Sequence, residues 1–295
     1  MKIKKAIITA GGIGTRFLPV TKTIQKEMLP ILNKPIIDYL VDDCVNAGVE
    51  EIIFVVREQN IQIQHYYEED LGLKRYLEHI KKAGKYEQVA KLHTKAKFSF
   101  VKQKETDPYG TGVPVMLARK YVENEEAFLV LMGDDYIYNQ DGSNEIVKMM
   151  ETFNKSQAQG LLTCVLVANE LVNKYGIVEF KEENGFKILT NQVEKPQKEE
   201  VSSNFANISK YIFTPAIFQF IENNEVDIAS GELFITTACT KFAQNNRMVI
   251  HETKGKYLDS GYVLGWLKAN LVYARDKKEL WPELKEFMKE MVDTF

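Results

Sequence analysis

The feature that most constrains this chain is a short β-branched run, Ala6-Ile7-Ile8-Thr9-Ala10, that stops on a glycine cluster, Gly11-Gly12-Ile13-Gly14. An apolar run without polar alternation suits a strand buried on both faces, as in a parallel sheet covered by helices. Ile36, Ile37, Leu40, Val41, Cys44 and Val45 then recur at helical spacing, and Gly48 follows as a C-cap. Residues 51–56 form a second apolar strand. Strand, helix and strand with short connections make a βαβ unit with a right-handed crossover.

The alternation continues. Residues 62–95 read as two amphipathic helices broken near Gly84, 98–101 as a strand, 113–122 as a helix, and 128–132 as the most apolar strand, ending at Gly133-Asp134-Asp135. The expected fold class is α/β: a doubly wound, Rossmann-like mixed sheet with its ligand loops at the strand C-terminal edge. Beyond residue 150 the pattern is mixed. Strands are expected at 161–168, 176–180, 186–192, 211–213 and 248–251, and helices at 216–223, 232–244 and 264–273. A final amphipathic helix over 276–295 is expected to be interrupted at Trp281-Pro282. With no repeat and no Ser/Gly-rich linker, the economical organisation is one domain over 1–295, with inserted hairpins, a helical insertion at about 62–97 and a C-terminal helical tail at about 264–295.

Composition narrows the partners. Lys and Arg number 38 against 41 Asp and Glu, a formal net charge of −3, which argues against a nucleic-acid-coating protein but leaves room for a local basic cleft. Cys44, Cys164 and Cys239 are far apart and odd in number, so they point to a reducing compartment and away from a zinc site. The apolar run before Gly11 is too short for a signal-peptide core or a membrane span, and the chain reads as cytoplasmic. His65, His79, His93 and His251 are scattered without a second ligand at helical or hairpin spacing.

Ala10-Gly11-Gly12-Ile13-Gly14-Thr15-Arg16 lies where backbone amides can cradle phosphates without interference from Cβ atoms. Its spacing is neither the dinucleotide fingerprint nor the P-loop. Arg16, Lys22 and Lys26 follow closely, as a triphosphate site would need, although a tight structural turn with solvated cations has the same pattern.

The longer stretch, Ala10-Gly-Gly-Ile-Gly-Thr-Arg16-Phe-Leu-Pro19 through Lys26-Glu27-Met28-Leu29-Pro30 and Asn33-Lys34-Pro35, resembles the signature of the sugar-1-phosphate nucleotidyltransferases. Lys-Glu-Met-Leu-Pro is similar to the wording of the bacterial UTP:glucose-1-phosphate uridylyltransferase branch, and the insertion between His65 and Lys97 sits where that branch carries one. The resemblance extends from Ala6 to about Tyr273. It implies an in-line attack by a sugar 1-phosphate on the α-phosphorus of a nucleoside triphosphate, with pyrophosphate released.

The resemblance also implies roles for particular residues. Arg16 and Lys26 match the catalytic cations at the triphosphate. Ala10, Gly11, Gly12, Gly14 and Thr15 match the nucleotide loop, Gln103 the glutamine that reads the pyrimidine edge, and Gly110 the glycine turn beside the base. Gly176, Glu194 and Lys195 match the sugar-phosphate site. Asp135 is assigned there too, though it could face a hydroxyl or solvent. Asp134 and Asp259 match the two carboxylates for Mg²⁺, whose sparse protein shell is completed by water and phosphate. UTP and a sugar 1-phosphate are the implied partners, with no nucleic acid and no membrane. Trp266, Trp281 and the amphipathic tail suit packing or a homo-oligomer, dimer or tetramer.

Four positions depart from the pattern: Gln25 stands where proline is usual, Val113 where His is common, Ser209 where glycine is usual, and Thr237 where Asp is usual. The function implied is formation of UDP-glucose and pyrophosphate from UTP and glucose 1-phosphate. Ser209 and Val113 leave open another nucleotide or hexose. A catalytically idle paralogue is the remaining alternative, and the presence of Arg16, Lys26 and both metal carboxylates argues against it.

Overall fold

The computed structural model of the chain describes residues 1–227 and 231–294. Its first half contains β1 (Lys5–Ala10), a hairpin of β2 (Pro30–Ile31) and β3 (Lys34–Pro35), then α1 (Ile36–Asn46) and β4 (Glu51–Arg57). There follow α2 (Gln62–Tyr66), α3 (Leu71–His79), β5 (Lys97–Gln103), α4 (Val113–Leu117), α5 (Arg119–Val122), β6 (Phe128–Met132), β7 (Asp135–Tyr138) and α6 (Glu145–Ser156). The second half continues through β8 (Gly160–Leu166), β9 (Gly176–Glu183), β10 (Phe186–Glu194), β11 (Phe205–Phe213), α7 (Ile217–Glu222) and α8 (Ile235–Asn245). It ends with β12 (Met248–Glu252), β13 (Lys256–Asp259), α9 (Val263–Arg275) and α10 (Trp281–Thr294).

Nine strands form one mixed sheet in the order β5-β4-β1-β6-β11-β8-β12-β10-β9. β5, β4, β1 and β6 run parallel, β11 is antiparallel to both β6 and β8, and β9 closes back onto β11 through Phe205 and Ala206. From β1 the chain builds outward through β4 to β5, then crosses to β6 on the other side of β1. That reversal is the topological switch point, and a crevice opens outside the carboxyl ends of β1 and β6.

Side-chain alternation along the strands divides the interior in two. Ile8 packs with Ile36, Leu40 and Val41 of α1 and with Met149 and Phe153 of α6. Ile7 packs on the opposite face with Val115, Phe218 and Phe242 from α4, α7 and α8. Both faces of the sheet are therefore covered, as the unbroken apolar runs require.

Several expected elements change. The region after α3 forms short 3-10 turns at Ala83–Gln88 and Leu92–Thr94 rather than a second helix. The expected helix at 113–122 is split at Ala118. Pro282 stands in the first turn of α10, where its missing N–H is harmless, so it opens that helix instead of interrupting it. β11 begins six residues earlier than expected, at Phe205. β7 and β13 form a small separate antiparallel pair that the sequence reading missed. Phe295, the last residue of the expected tail, lies outside the described residues.

Candidate active site

The carboxyl end of β1 passes directly into the glycine loop, and that of β6 into Gly133-Asp134-Asp135. A hydrogen bond from the Gly133 N–H to the Thr9 carbonyl, 2.9 Å, joins the two strand ends. A Cβ on Gly133 would meet that carbonyl at 2.9 Å and Glu27 Cγ at the same distance. The loop and the acidic turn can approach this closely only with glycine there.

Lys26 is carried on a 3-10 turn (Lys26–Met28) after the glycine loop. Its Nζ donates to Asp134 Oδ2 at 2.6 Å and lies 3.9 Å from Glu27 Oε1. Burial disfavours the charge on Lys26, but Asp134, Glu27 and Asp135 outweigh it and raise the pKa. A Cβ on Gly12 would sit 3.1 Å from that Nζ. The glycine loop and the cation thus form one surface.

Two cavities open onto this centre and share Asp134 and Asp135. The first, about 250 Å³, is lined by Gly11, Gly12, Lys26, Gln103 and Gly110, among others. Gln103 ends β5, and its Oε1 is so placed that a Cβ on Gly11 would come within 2.7 Å of it. Gly110 has φ 131°, and a Cβ there would fall 2.3 Å from the Leu233 backbone nitrogen. Its turn is zipped to the 231–234 segment by Leu233 N–H to Tyr109 O, 2.8 Å, and Gly112 N–H to Leu233 O, 2.9 Å.

The second cavity, about 210 Å³, is lined by Arg16, Asp259, Gly176 and Glu194 together with the shared aspartates. A Cβ on Gly261 would lie 2.9 Å from Asp134 Oδ2, 3.0 Å from Asp259 Oδ1 and 3.9 Å from Arg16 Nη1, so these three groups surround one point. Burial and the neighbouring Asp134 raise the pKa of Asp259. Asp135 is pushed up to about 8 by burial, Asp134 and Asp259. An acidic cluster strained in this way gains from a bound cation. Among the described residues no group of three or more His, Cys, Asp or Glu side chains is placed to hold a metal ion.

The structure gathers most of the expected residues into the two cavities and leaves four outside their linings. Ala10 is buried, with its carbonyl accepting from Gln25 Nε2 at 3.2 Å. Gly14 has φ 70°, and its carbonyl accepts from Thr21 Oγ1, which makes it a turn residue. Thr15 starts the adjoining 3-10 turn. Lys195 is largely exposed, with its Nζ 3.9 Å from Glu194 Oε1, whereas Lys174 lines the second cavity. Thr237 is also exposed, and it is Thr236 that faces the cavity.

Other residues enter that sequence reasoning missed. Glu27 is 1% exposed, lines the first cavity and has two carboxylate oxygens without hydrogen-bond partners; burial pushes its pKa up to about 7. Gln192, two positions before Glu194 on β10, lines the second cavity, and both ends of its buried amide lack a hydrogen-bond partner. That alternation is a signal the sequence does contain. Lys210, 3% exposed, donates to the Asp135 carbonyl at 2.6 Å, and the Tyr257 hydroxyl donates to Asp135 Oδ1 at 3.0 Å. Ser209, next to Lys210, lies at φ 53° where β11 departs from regular pairing with β8.

A sequence model of the family described as Nucleotidyl transferase matches residues 5–276. The chain belongs to the nucleotidyl transferase family. A UTP–glucose-1-phosphate uridylyltransferase of Bacillus subtilis is 36% identical to this nucleotidyl transferase over 293 residues, covering 99% of this chain and 98% of that one. A UTP-bound UGPase from Acinetobacter baumannii superposes with a TM-score of 0.86 at 30% identity, over 98% of this chain and 99% of that one. A UDP-glucose pyrophosphorylase complexed with UDP-glucose gives 0.80 at 32% identity, over 93% of this chain and 100% of that one. No helix among the described residues of this nucleotidyl transferase is long and apolar enough to cross a membrane.

Proposed function

We propose that this nucleotidyl transferase forms UDP-glucose and pyrophosphate from UTP and glucose 1-phosphate. The observation that carries the reading is the meeting of two cavities at Asp134 and Asp135, with Lys26 on one side and Arg16 on the other. Two anionic substrates brought to one acidic turn need both cations and alignment, and no covalent enzyme intermediate. The names of relatives similar over almost the whole chain supply the substrates.

UTP takes the cavity beneath the glycine loop. The Gln103 carboxamide offers the donor and acceptor that a uracil edge demands, and Gly11 and Gly12 allow backbone approach to the phosphates. Glucose 1-phosphate takes the other cavity, where Glu194 accepts from sugar hydroxyls and Gln192 forms part of the wall. A sugar-phosphate oxygen attacks the α-phosphorus. The bond from that phosphorus to the bridging oxygen breaks, and its electron pair leaves with pyrophosphate. Lys26 and Arg16 stabilise the charge that develops.

Asp134 and Asp259 fit Mg²⁺, since their oxygens converge beside Gly261 and water and phosphate oxygens can complete the shell. Mg²⁺ bound there would neutralise phosphate charge as a Lewis acid. Cytoplasmic location fits three free, buried cysteines. A homo-oligomer fits the exposed Leu264, Leu267 and Phe287 of α9 and α10. Another hexose 1-phosphate is the second reading, favoured by Ser209 and Thr236 on the sugar side.

Lys26→Ala and Asp259→Ala are each expected to lose on the order of 10²-fold or more in turnover. Chelation of divalent cations should abolish pyrophosphate release, and added Mg²⁺ should restore it. Near-wild-type release by either variant would overturn the assigned roles.

A further inference from the structure

The segment that presents Lys26 has little backbone scaffolding of its own. Between the glycine loop and β2 it consists of three short 3-10 turns, Thr15–Phe17, Val20–Lys22 and Lys26–Met28. Such turns leave most of their donors and acceptors to be met by other groups. Side chains must therefore fix where Lys26 stands.

One side chain bridges the last two turns. Gln62, the first residue of α2, donates from Nε2 to the Thr23 carbonyl at 2.6 Å and accepts at Oε1 from the Gln25 N–H at 2.8 Å. Both ends of one carboxamide thus close on residues two apart, as a neighbouring strand's peptide group would. Gln25, 5% exposed and immediately before Lys26, extends the link by donating from Nε2 to the Ala10 carbonyl at the end of β1, 3.2 Å. The chain of contacts runs from α2 through Gln62 and Gln25 to Lys26 and its 2.6 Å bond with Asp134.

We propose that Gln62 is a positioning residue for the reaction, holding the Lys26 turn in register with the glycine loop and the acidic turn. This rests on the uridylyl-transfer reading given above. Gln62 touches no reacting atom; it acts through Gln25 and Lys26. A cation misplaced by a fraction of an ångström stabilises the transition state less while still attracting the triphosphate, so the loss falls on kcat more than on KM.

The backbone of Gln25 supplies a partner variant, which also gives up the Gln25 side-chain bond to the Ala10 carbonyl. Its φ of −57° is one that proline adopts, so Gln25→Pro deletes the N–H that Gln62 accepts while keeping that angle. Gln62→Ala is expected to lower kcat on the order of tenfold with KM for UTP within about threefold. It should also speed amide exchange at Gln25 by at least about tenfold. In the Gln25→Pro background the same substitution should do much less, because the pair is coupled. Gln62→Glu, which accepts but cannot donate to Thr23, should fail to restore kcat.

An unchanged kcat together with unchanged exchange at Gln25 would overturn the proposal. So would a loss of activity matched by a loss of folded protein, or equal effects in the two backgrounds. Exchange at Gln25 needs no turnover. A wild-type protein that makes no UDP-glucose would therefore overturn the functional reading, while the tether is still judged by exchange in Gln62→Ala.

Discussion

Ser209 shows at a single residue how the site is built. Its φ of 53° lies in the left-handed region, where a side chain costs about 1–2 kcal/mol, and the Asn207 Oδ1 bond to its N–H, 2.9 Å, holds it there. The kink aims Lys210 at the Asp135 carbonyl. A glycine would relieve the strain but lose more chain entropy on folding, so Ser209→Gly should gain about 0.5 kcal/mol, read from the urea midpoint. A loss of stability would show that the serine side chain contributes more than its strain. Gly110 is the opposite case. A methyl group there would collide with Leu233 backbone atoms that cannot yield, so Gly110→Ala should reduce kcat/KM for UTP at least on the order of 10²-fold. Retained UTP affinity would contradict the zipped turn. The glycines and the aspartates after β6 were legible in the sequence because strand ends punctuated by glycine carry chemistry in this fold class. Lys210 and Tyr257 were not, because each is an ordinary strand residue until topology brings it to Asp135.

At the scale of elements, two buried carboxylates tie the helices to their neighbours. Asp38 of α1 is 2% exposed and receives the Tyr67 hydroxyl at 2.9 Å and Lys95 Nζ at 2.8 and 2.9 Å, which docks both ends of the 62–97 region. Asp38→Ala should cost about 3 kcal/mol by leaving Lys95 and Tyr67 short of a partner, and it should open that region to limited proteolysis. An unchanged digestion pattern would contradict this anchor. Glu145 of α6 meets His251 of β12 at 2.8 Å and accepts from Asn139 at 2.9 Å. Burial alone would raise its pKa, yet these bonds hold it at about 2, below the usual 4.5. A depressed carboxyl stabilises the fold above its unfolded pKa and loses that contribution as pH falls through its folded one. Stability should therefore drop between about pH 4.5 and pH 2, by up to about 3 kcal/mol. Glu145→Gln should flatten that limb of an acid-unfolding curve, and an identical limb would exclude the pair as its source. The helical periodicity that located α1 passed over α6 and overreached after α3, where Lys, Glu and Tyr imitate an amphipathic helix but the chain forms 3-10 turns. β7 and β13 escaped notice because four-residue strands set among glycines and aspartates carry too little alternation to read.

Across the whole molecule, function follows from strand order. The reversal at β1 puts the glycine loop beside Asp134, and β10 and β13, from the second half of the chain, bring Glu194 and Asp259 to the other side of the same turn. The βαβ rhythm made the first half of this arrangement legible. The return of β9 onto β11 was not, because it depends on long-range pairing with no local signature. The net charge of −3 likewise hides a site where Arg16 and Lys26 stand around an acidic cluster. Uridylyl transfer is tested by pyrophosphate release from the purified protein with Mg²⁺, measured for each nucleoside triphosphate against a panel of hexose 1-phosphates. Release is expected with UTP and glucose 1-phosphate, matched mole for mole by UDP-glucose. Preference for dTTP, indifference to glucose 1-phosphate, or no release with any pair would exclude uridylyl transfer to glucose 1-phosphate.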